Sequence, residues 1–194
     1  MASYIALTKE HNVDLQGFLF VIEALSADRN ERREHVTHIL IEDGRVVATD
    51  GRRLHAFEPK NKYRSGLYRV VYKRQGPGGL CVLERTKSAK KSGYPDYSHV
   101  LVDQSKAVAN VSFYKTSKNN WSDLGTSLPE IMHHLYKGNA GFNVEYIKPL
   151  PPGQWTAGVF TQKNEHTPKG ILATMVAFES ECQKMHATVM TMKL

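Results

Sequence analysis

The sequence predicts an α+β fold in which antiparallel strands predominate and two helices do most of the packing. Three observations lead there. Apolar residues recur at three- and four-residue intervals over 13–25, and again over 128–137. Short runs rich in β-branched and aliphatic residues, broken by Asp-Gly, Gly and Pro, fill much of the remainder. Each half, about 1–103 and 104–194, also runs strand, helix, then strands, a repeated β-α-β-β-β plan with no repeat of identity. One enlarged domain accommodates this plan, and two truncated domains split near Asp103 are the alternative.

Taken in order, 3–7 is a short strand. In the helix over 13–25, Leu15, Phe18, Leu19, Ile22 and Leu25 make the apolar stripe. Phe20 and Val21 widen it, so burial against a sheet is expected, and Asp14 stands where a helix cap would. The only charged groups of this helix, Asp14 and Glu23, are acidic. Residues 28–34 read as a solvated connector. Residues 36–41 read as a strand, Glu42-Asp43-Gly44-Arg45 as a tight turn, and Val46-Val47-Ala48 as its return strand. At Thr49-Asp50-Gly51 a glycine free to take positive φ makes a bend that delivers Arg52, Arg53 and Leu54 to the next strand.

Residues 60–65 form a basic loop, and 67–73 with 80–84 form a second hairpin around Gly76-Pro77-Gly78-Gly79. The charge run over 85–92 is either a mobile exposed loop or one that contacts phosphates. Pro95 fixes an extended entry into a strand at 100–102. Residues 107–114 are a strand and 115–122 a loop. The second helix, 128–137, has Ser127 as cap, Pro129 in its first turn and Gly138 as its stop. Strands over 155–160, 170–178 and 184–192 complete the chain, with a turn at 165–169.

Four stretches carry a resemblance. V-A-T-D-G-R-R-L at 47–54 resembles a segment of the middle domain of bacterial β sliding clamps, the ring-shaped processivity subunit of the replicative polymerase, with Arg52 where that family usually has His. Y-P-D-Y-S-H-V-L at 94–101 and V-M-T-M-K-L at 189–194 are similar to two further clamp segments in the same order. F-N-V-E-Y-I-K-P-L at 142–150 is similar to a helix start in the clamp's last domain, although Pro149, Pro151 and Pro152 would cut a helix short here. The resemblance implies a DNA clamp-like fold made of two pseudo-symmetric halves. The family's ordinary chain holds three domains and pairs into a six-domain ring. At 194 residues this chain is roughly half that length, as if the front of the middle domain were joined to the back of the last.

The net charge of +7 and the isoelectric point near 9.4 favour an acidic partner, nucleic acid foremost. Cys81 and Cys182 sit in apolar surroundings without C-x-x-C spacing and read as reduced core residues of a cytoplasmic protein. No apolar run has the length of a membrane span, and nothing resembles a secretory leader. Catalysis has little support, because no G-x-S-x-G, P-loop or G-x-G-x-x-G occurs and Pro77 removes an N–H that a phosphate cradle would want. His35 and His38 on a strand would face opposite ways, and adjacent His133 and His134 would diverge on a helix, so no metal or cofactor is expected. An unrecognised hydrolase would rest on scattered His and acidic residues alone.

The sequence therefore points to a non-catalytic, clamp-like protein that holds replication or repair partners near DNA, its copies joining into a homo-oligomer. A stand-alone DNA-binding or regulatory protein without a ring is the alternative. Non-specific DNA contact is expected from loop cations, namely Arg53, Lys60, Lys62, Arg64, Lys87, Lys90 and Lys91, unless these serve only solubility. The resemblance further implies a hydrophobic cleft that receives a short linear motif from a polymerase or repair protein. Its residues here would be Thr49, Gly51, Arg52 and Leu54, then Pro95 and Val100, then Val189, Met190 and Met192. Exposed Leu, Val, Pro and flexible Met suit such a groove, and core strands kept only for folding are the alternative.

Overall fold

A computed structural model describes residues 3–28, 30–116, 127–137, 140–163 and 172–193. The chain forms two units, Met1–Asp96 and Tyr97–Leu194. In the first, strand β1 (Ser3–Thr8) leads to helix α1 (Leu15–Ile22) and the single turn α2 (Glu34–Thr37). Strands β2 (Ile39–Glu42), β3 (Arg45–Thr49), β4 (Arg53–Phe57), β5 (Gly66–Arg74) and β6 (Leu80–Lys87) follow. They pair antiparallel in the order β1-β6-β5-β2-β3-β4.

Local chemistry explains much of this unit. Asp43 and Gly44 both take positive φ, 50° and 75°, the combination whose twist matches the β2–β3 hairpin and sets Leu40 opposite Val47. Helix α1 packs against β3, β4 and β6, and every residue in it except Gln16 is buried. Its ends are shorter than the periodicity suggests. Val13 is 68% exposed, and beyond Ile22 the backbone tightens, with Leu25 N–H donating to the Ile22 carbonyl.

Two expectations for this unit are corrected. The strand expected over 36–41 begins only at Ile39, because Thr37 Oγ1 donates to the Arg33 and Glu34 carbonyls and His38 N–H donates to Glu34 O, which closes 34–37 into a helical turn. His35 and His38 therefore do not lie on a strand, and burial holds the half-buried His38 ring below the ordinary histidine pKa. The run expected to be a loop over 85–92 is strand through Lys87. Arg85 is spent on the Ser65 carbonyl and Lys87 on Glu34, and only 89–91 form a separate short turn.

The second unit contains β7 (Ala109–Lys115), helix α3 (Ser127–Lys137), β8 (Ala140–Gly141), β9 (Gly153–Lys163), β10 (Leu172–Ser180), β11 (Met185–Met190) and β12 (Met192–Lys193). Strands β7, β9, β10 and β11 neighbour one another in that order, and β8 pairs with β12. Its core holds Trp155, Phe113, Phe142, Phe178, Ile131, Leu135, Ile147 and Leu150. Trp155 satisfies its one donor on the Pro151 carbonyl at 2.9 Å. Residues 117–122 of the expected loop, the stop at Gly138 and the turn at 165–169 lie outside the described residues.

Here too the sequence expectation is corrected in places. Residues 100–102 form no strand: Ser98–Val100 is a 3₁₀ turn, and the Val100 carbonyl accepts from the Thr188 hydroxyl at 2.7 Å. Lys115 is not in a loop but is the buried last residue of β7, with Nζ donating to the Lys148 carbonyl at 2.9 Å. Over 142–150 only the 3₁₀ turn Val144–Ile147 forms, and it ends before Pro149.

The two cysteines differ, contrary to their shared reading as core residues. Cys81 is buried in β6, and burial pushes its thiol up to about 12, whereas Cys182 is exposed in the turn between β10 and β11. Alkylation of the native protein followed by mass spectrometry is expected to modify Cys182 alone, with Cys81 reacting only in denaturant. Equal labelling of both in the native state would contradict these placements.

Candidate functional site

The candidate residues are set by two devices in the first unit and one in the second. The first device is the bend between β3 and β4. Gly51 has φ of 87°, and its N–H donates to Thr49 Oγ1 at 3.0 Å while that hydroxyl donates to the Arg53 carbonyl at 2.6 Å. Asp50 Oδ1 accepts the amides of Arg52 and Arg53 at 2.9 and 3.0 Å. Local side chains thus satisfy the backbone of the bend and hold its shape. Gly51 and Arg52 are left exposed, Thr49 is half-buried, and Leu54 is turned into the core. Pro95, the remaining candidate of this unit, is exposed.

The second device is the loop after β4. Asp14 occupies the position before α1 but makes no cap bond with its side chain. Instead its carboxylate, only 4% exposed, faces the loop. Oδ1 accepts Lys60 N–H at 2.7 Å, and Oδ2 accepts Asn61 N–H at 3.0 Å, the Asn61 side-chain amide at 2.8 Å and the Tyr63 hydroxyl at 3.0 Å. Tyr63 is drawn inward, its ring edge-on to Phe18 at 5.1 Å, and burial raises its hydroxyl above the usual tyrosine range. Farther along, Tyr68 donates to the Arg64 carbonyl at 2.7 Å, and Arg85 donates twice to the Ser65 carbonyl. Lys60, Lys62 and Arg64 stand exposed on this fastened loop.

All seven candidate DNA-contacting cations belong to the first unit, yet they are not equivalent. Arg53 pairs with Asp50 at 3.1 Å, both half-buried, and Lys87 pairs with Glu34. Lys60, Lys62, Arg64, Lys90 and Lys91 are exposed and make no ion pair among the described residues. Helix α1 offers phosphates no cation, since its one exposed residue is Gln16.

The third device lies in the second unit. Thr188, buried in β11, ties the turn that bears Val100 to the strand that bears Val189 and Met190. Val189 is fully buried. Met190, half-buried, packs with Val102 and Ala107 on the cluster of Phe160, Met175 and Ala177. After Thr191 the chain leaves β11 for β12, and there Met192 is 61% exposed. Residue patterns could not show the roles of Asp14, Tyr63, Tyr68, Arg85 and Thr188, because each acts on sequence-distant backbone or on a side chain whose position the fold decides.

Among the described residues no group of three His, Cys, Asp or Glu is placed to hold a metal ion. His133 and His134, expected to diverge, bring their rings edge to face at 5.9 Å. No helix among the described residues is long and apolar enough to cross a membrane.

No family model matches the sequence, and neither does any curated protein. Solved structures do match. The chain is similar to the DNA polymerase III subunit beta of Pseudomonas aeruginosa, with a TM-score of 0.51, 13% identity, and coverage of 98% of this chain and 66% of that one. It is similar to pol III beta of Caulobacter crescentus, with a TM-score of 0.51, 12% identity and coverage of 100% and 66%. The DNA polymerase III beta subunit of Thermotoga maritima gives 0.51, 13%, 98% and 65%. The likeness is one of fold, and this chain spans just under two thirds of the length of these clamp subunits. The chain has a DNA clamp-like α+β fold with antiparallel sheets and two main helices.

Proposed function

We propose that this protein is a non-catalytic, DNA-associated member of the clamp-like class that contacts nucleic acid through loop cations and holds a replication or repair partner nearby. The observation that carries this reading is the set of five exposed cations that make no ion pair among the described residues, Lys60, Lys62, Arg64, Lys90 and Lys91, on a chain of net charge +7. The clamp-like fold supports it. Phosphate contacts carry no base information, so binding is non-specific and governed by counterion release. With about five phosphates neutralised, affinity for duplex is expected to fall roughly a hundredfold or more between 50 and 200 mM salt. Titration of labelled duplex at the two concentrations measures this, and binding that ignores salt, or none at low salt, ends the reading.

Partner contact is proposed to use a short linear motif. In the second unit, Val100, Met190 and Met192 offer it an adaptable apolar surface, with Val189 as buried backing. In the first unit, Thr49, Gly51, Arg52 and Pro95 offer it accessible groups, with Leu54 as backing. Since Leu54 and Val189 are core residues, the informative variants are Met192→Glu and Arg52→Glu, which leave the core alone. Each is expected to weaken a clamp-binding peptide at least about fivefold in a fluorescence titration, and wild-type affinity in both would remove these residues from the contact. Light scattering tests assembly, since a monomer or simple dimer would exclude a closed ring of copies.

A further inference from the structure

We infer that the loop following β4 is a preorganised phosphate-contacting element and that Asp14 is its positioning residue. The inference rests on the nucleic-acid reading above and says how that contact is built. A cation-bearing surface loop ordinarily samples many conformations, and ordering it on a ligand costs conformational entropy that weakens binding. Here that ordering is already done. The Asp14 carboxylate takes both the Lys60 and Asn61 amides, the Asn61 side chain and the Tyr63 hydroxyl, while Tyr68 and Arg85 hold the carbonyls of Arg64 and Ser65. These groups restrain the loop along its length, and the side chains of Lys60, Lys62 and Arg64 take no part in the fastening. Tyr63 goes in and its neighbours Lys62 and Arg64 stay out, so the alternation that anchors the loop also exposes the cations.

The arrangement is unusual in its charge logic. The buried carboxylate makes no ion pair with Lys60, Lys62 or Arg64 and accepts from two backbone amides, one side-chain amide and one hydroxyl instead. The cations keep their full charge for an external anion. Residues two apart in extended chain are at most about 7 Å apart, comparable with the through-space separation of neighbouring phosphates on one strand, so successive phosphates suit the spacing. Lys90 and Lys91 are adjacent in a single 3₁₀ turn and offer no such spacing.

The test measures duplex affinity of the full chain against salt, together with hydrogen exchange. Lys60→Ala/Lys62→Ala/Arg64→Ala is expected to reduce the steepness of log affinity against log salt by between about two and three, at roughly 0.9 for each phosphate no longer neutralised. Asp14→Ala is expected to leave that steepness unchanged while lowering affinity about tenfold, and to abolish slow exchange of the Lys60 and Asn61 amides, because the three cations remain and the loss of their ordering outweighs the removal of one negative charge. Should Asp14→Ala not fold, Tyr63→Phe removes one bond to the carboxylate, keeps the ring on Phe18, and is expected to show the same pattern at smaller amplitude.

Absence of duplex binding by the wild type would overturn the nucleic-acid reading and the inference with it. Wild-type binding with an unaltered salt profile in the triple variant would overturn the inference alone. Freed amides with unchanged affinity would remove Asp14 from the role, and competition by polyglutamate as effective as by duplex would make the loop a general polyanion site.

Discussion

Asp14→Ala is expected to destabilise the protein by about 3–5 kcal/mol, seen as a fall of about 2 M in the urea midpoint. Asp14 is nearly fully buried and accepts four hydrogen bonds from the loop after β4. Charged hydrogen bonds contribute about 1.5–3 kcal/mol each, and donors left buried without a partner cost about 1–3 kcal/mol each. The Tyr63 hydroxyl retains Asn12 as a partner, but the amides of Lys60 and Asn61 lose theirs. If Asp14 were an ordinary helix cap the loss would be nearer 1 kcal/mol, so the size of the change separates the two roles. A midpoint shift below about 0.5 M would favour the cap.

Gly17→Ala is expected to cost about 2 kcal/mol, although the same change in most helices gains up to about 1 kcal/mol. Gly17 is where α1 meets β4. A Cβ added there would lie 2.8 Å from Cγ of the Phe57 ring and closer still to Cδ2 and Cε2. The ring cannot swing away, since Phe57 is buried and already packs edge-on to Phe18 at 5.2 Å. Gly17 is therefore a packing residue rather than a helix defect. Thermal or urea unfolding of the variant measures the sign, and a stabilised Gly17→Ala would show that α1 can lift from β4 without cost.

These residues also show what the sequence discloses. The β2–β3 hairpin was legible because Asp43-Gly44 carries its geometry in two adjacent residues. Helix α1 and the buried Leu15, Phe18, Leu19 and Ile22 were legible from spacing alone. Asp14 was legible as a position but not as a role, because its partners lie 46 to 49 residues away and only the fold brings them near. The turn at Glu34–Thr37 was hidden because β-branched Val36 and Thr37 suggest a strand, while Thr37's hydroxyl favours the helical alternative. The paired residues 140–141 and 192–193 are too short for any periodicity to register. The candidate cations were legible as charges, but their separation into the neutralised Arg53 and Lys87 and the exposed remainder required the partners Asp50 and Glu34.

The strand pairing of the first unit has a consequence for synthesis. Strand β1 waits for β6, with Ser3 opposite Arg85, so the sheet of this unit closes only when its last strand has been made. The pairings that order its six strands all fall within residues 3–87, however, and none of those strands comes from the second unit. During translation these five pairings can form before any strand of the second unit has emerged. Strands β2, β3, β5 and β6 then have partners on both sides, which leaves fewer unpaired strands through which nascent chains can pair with one another.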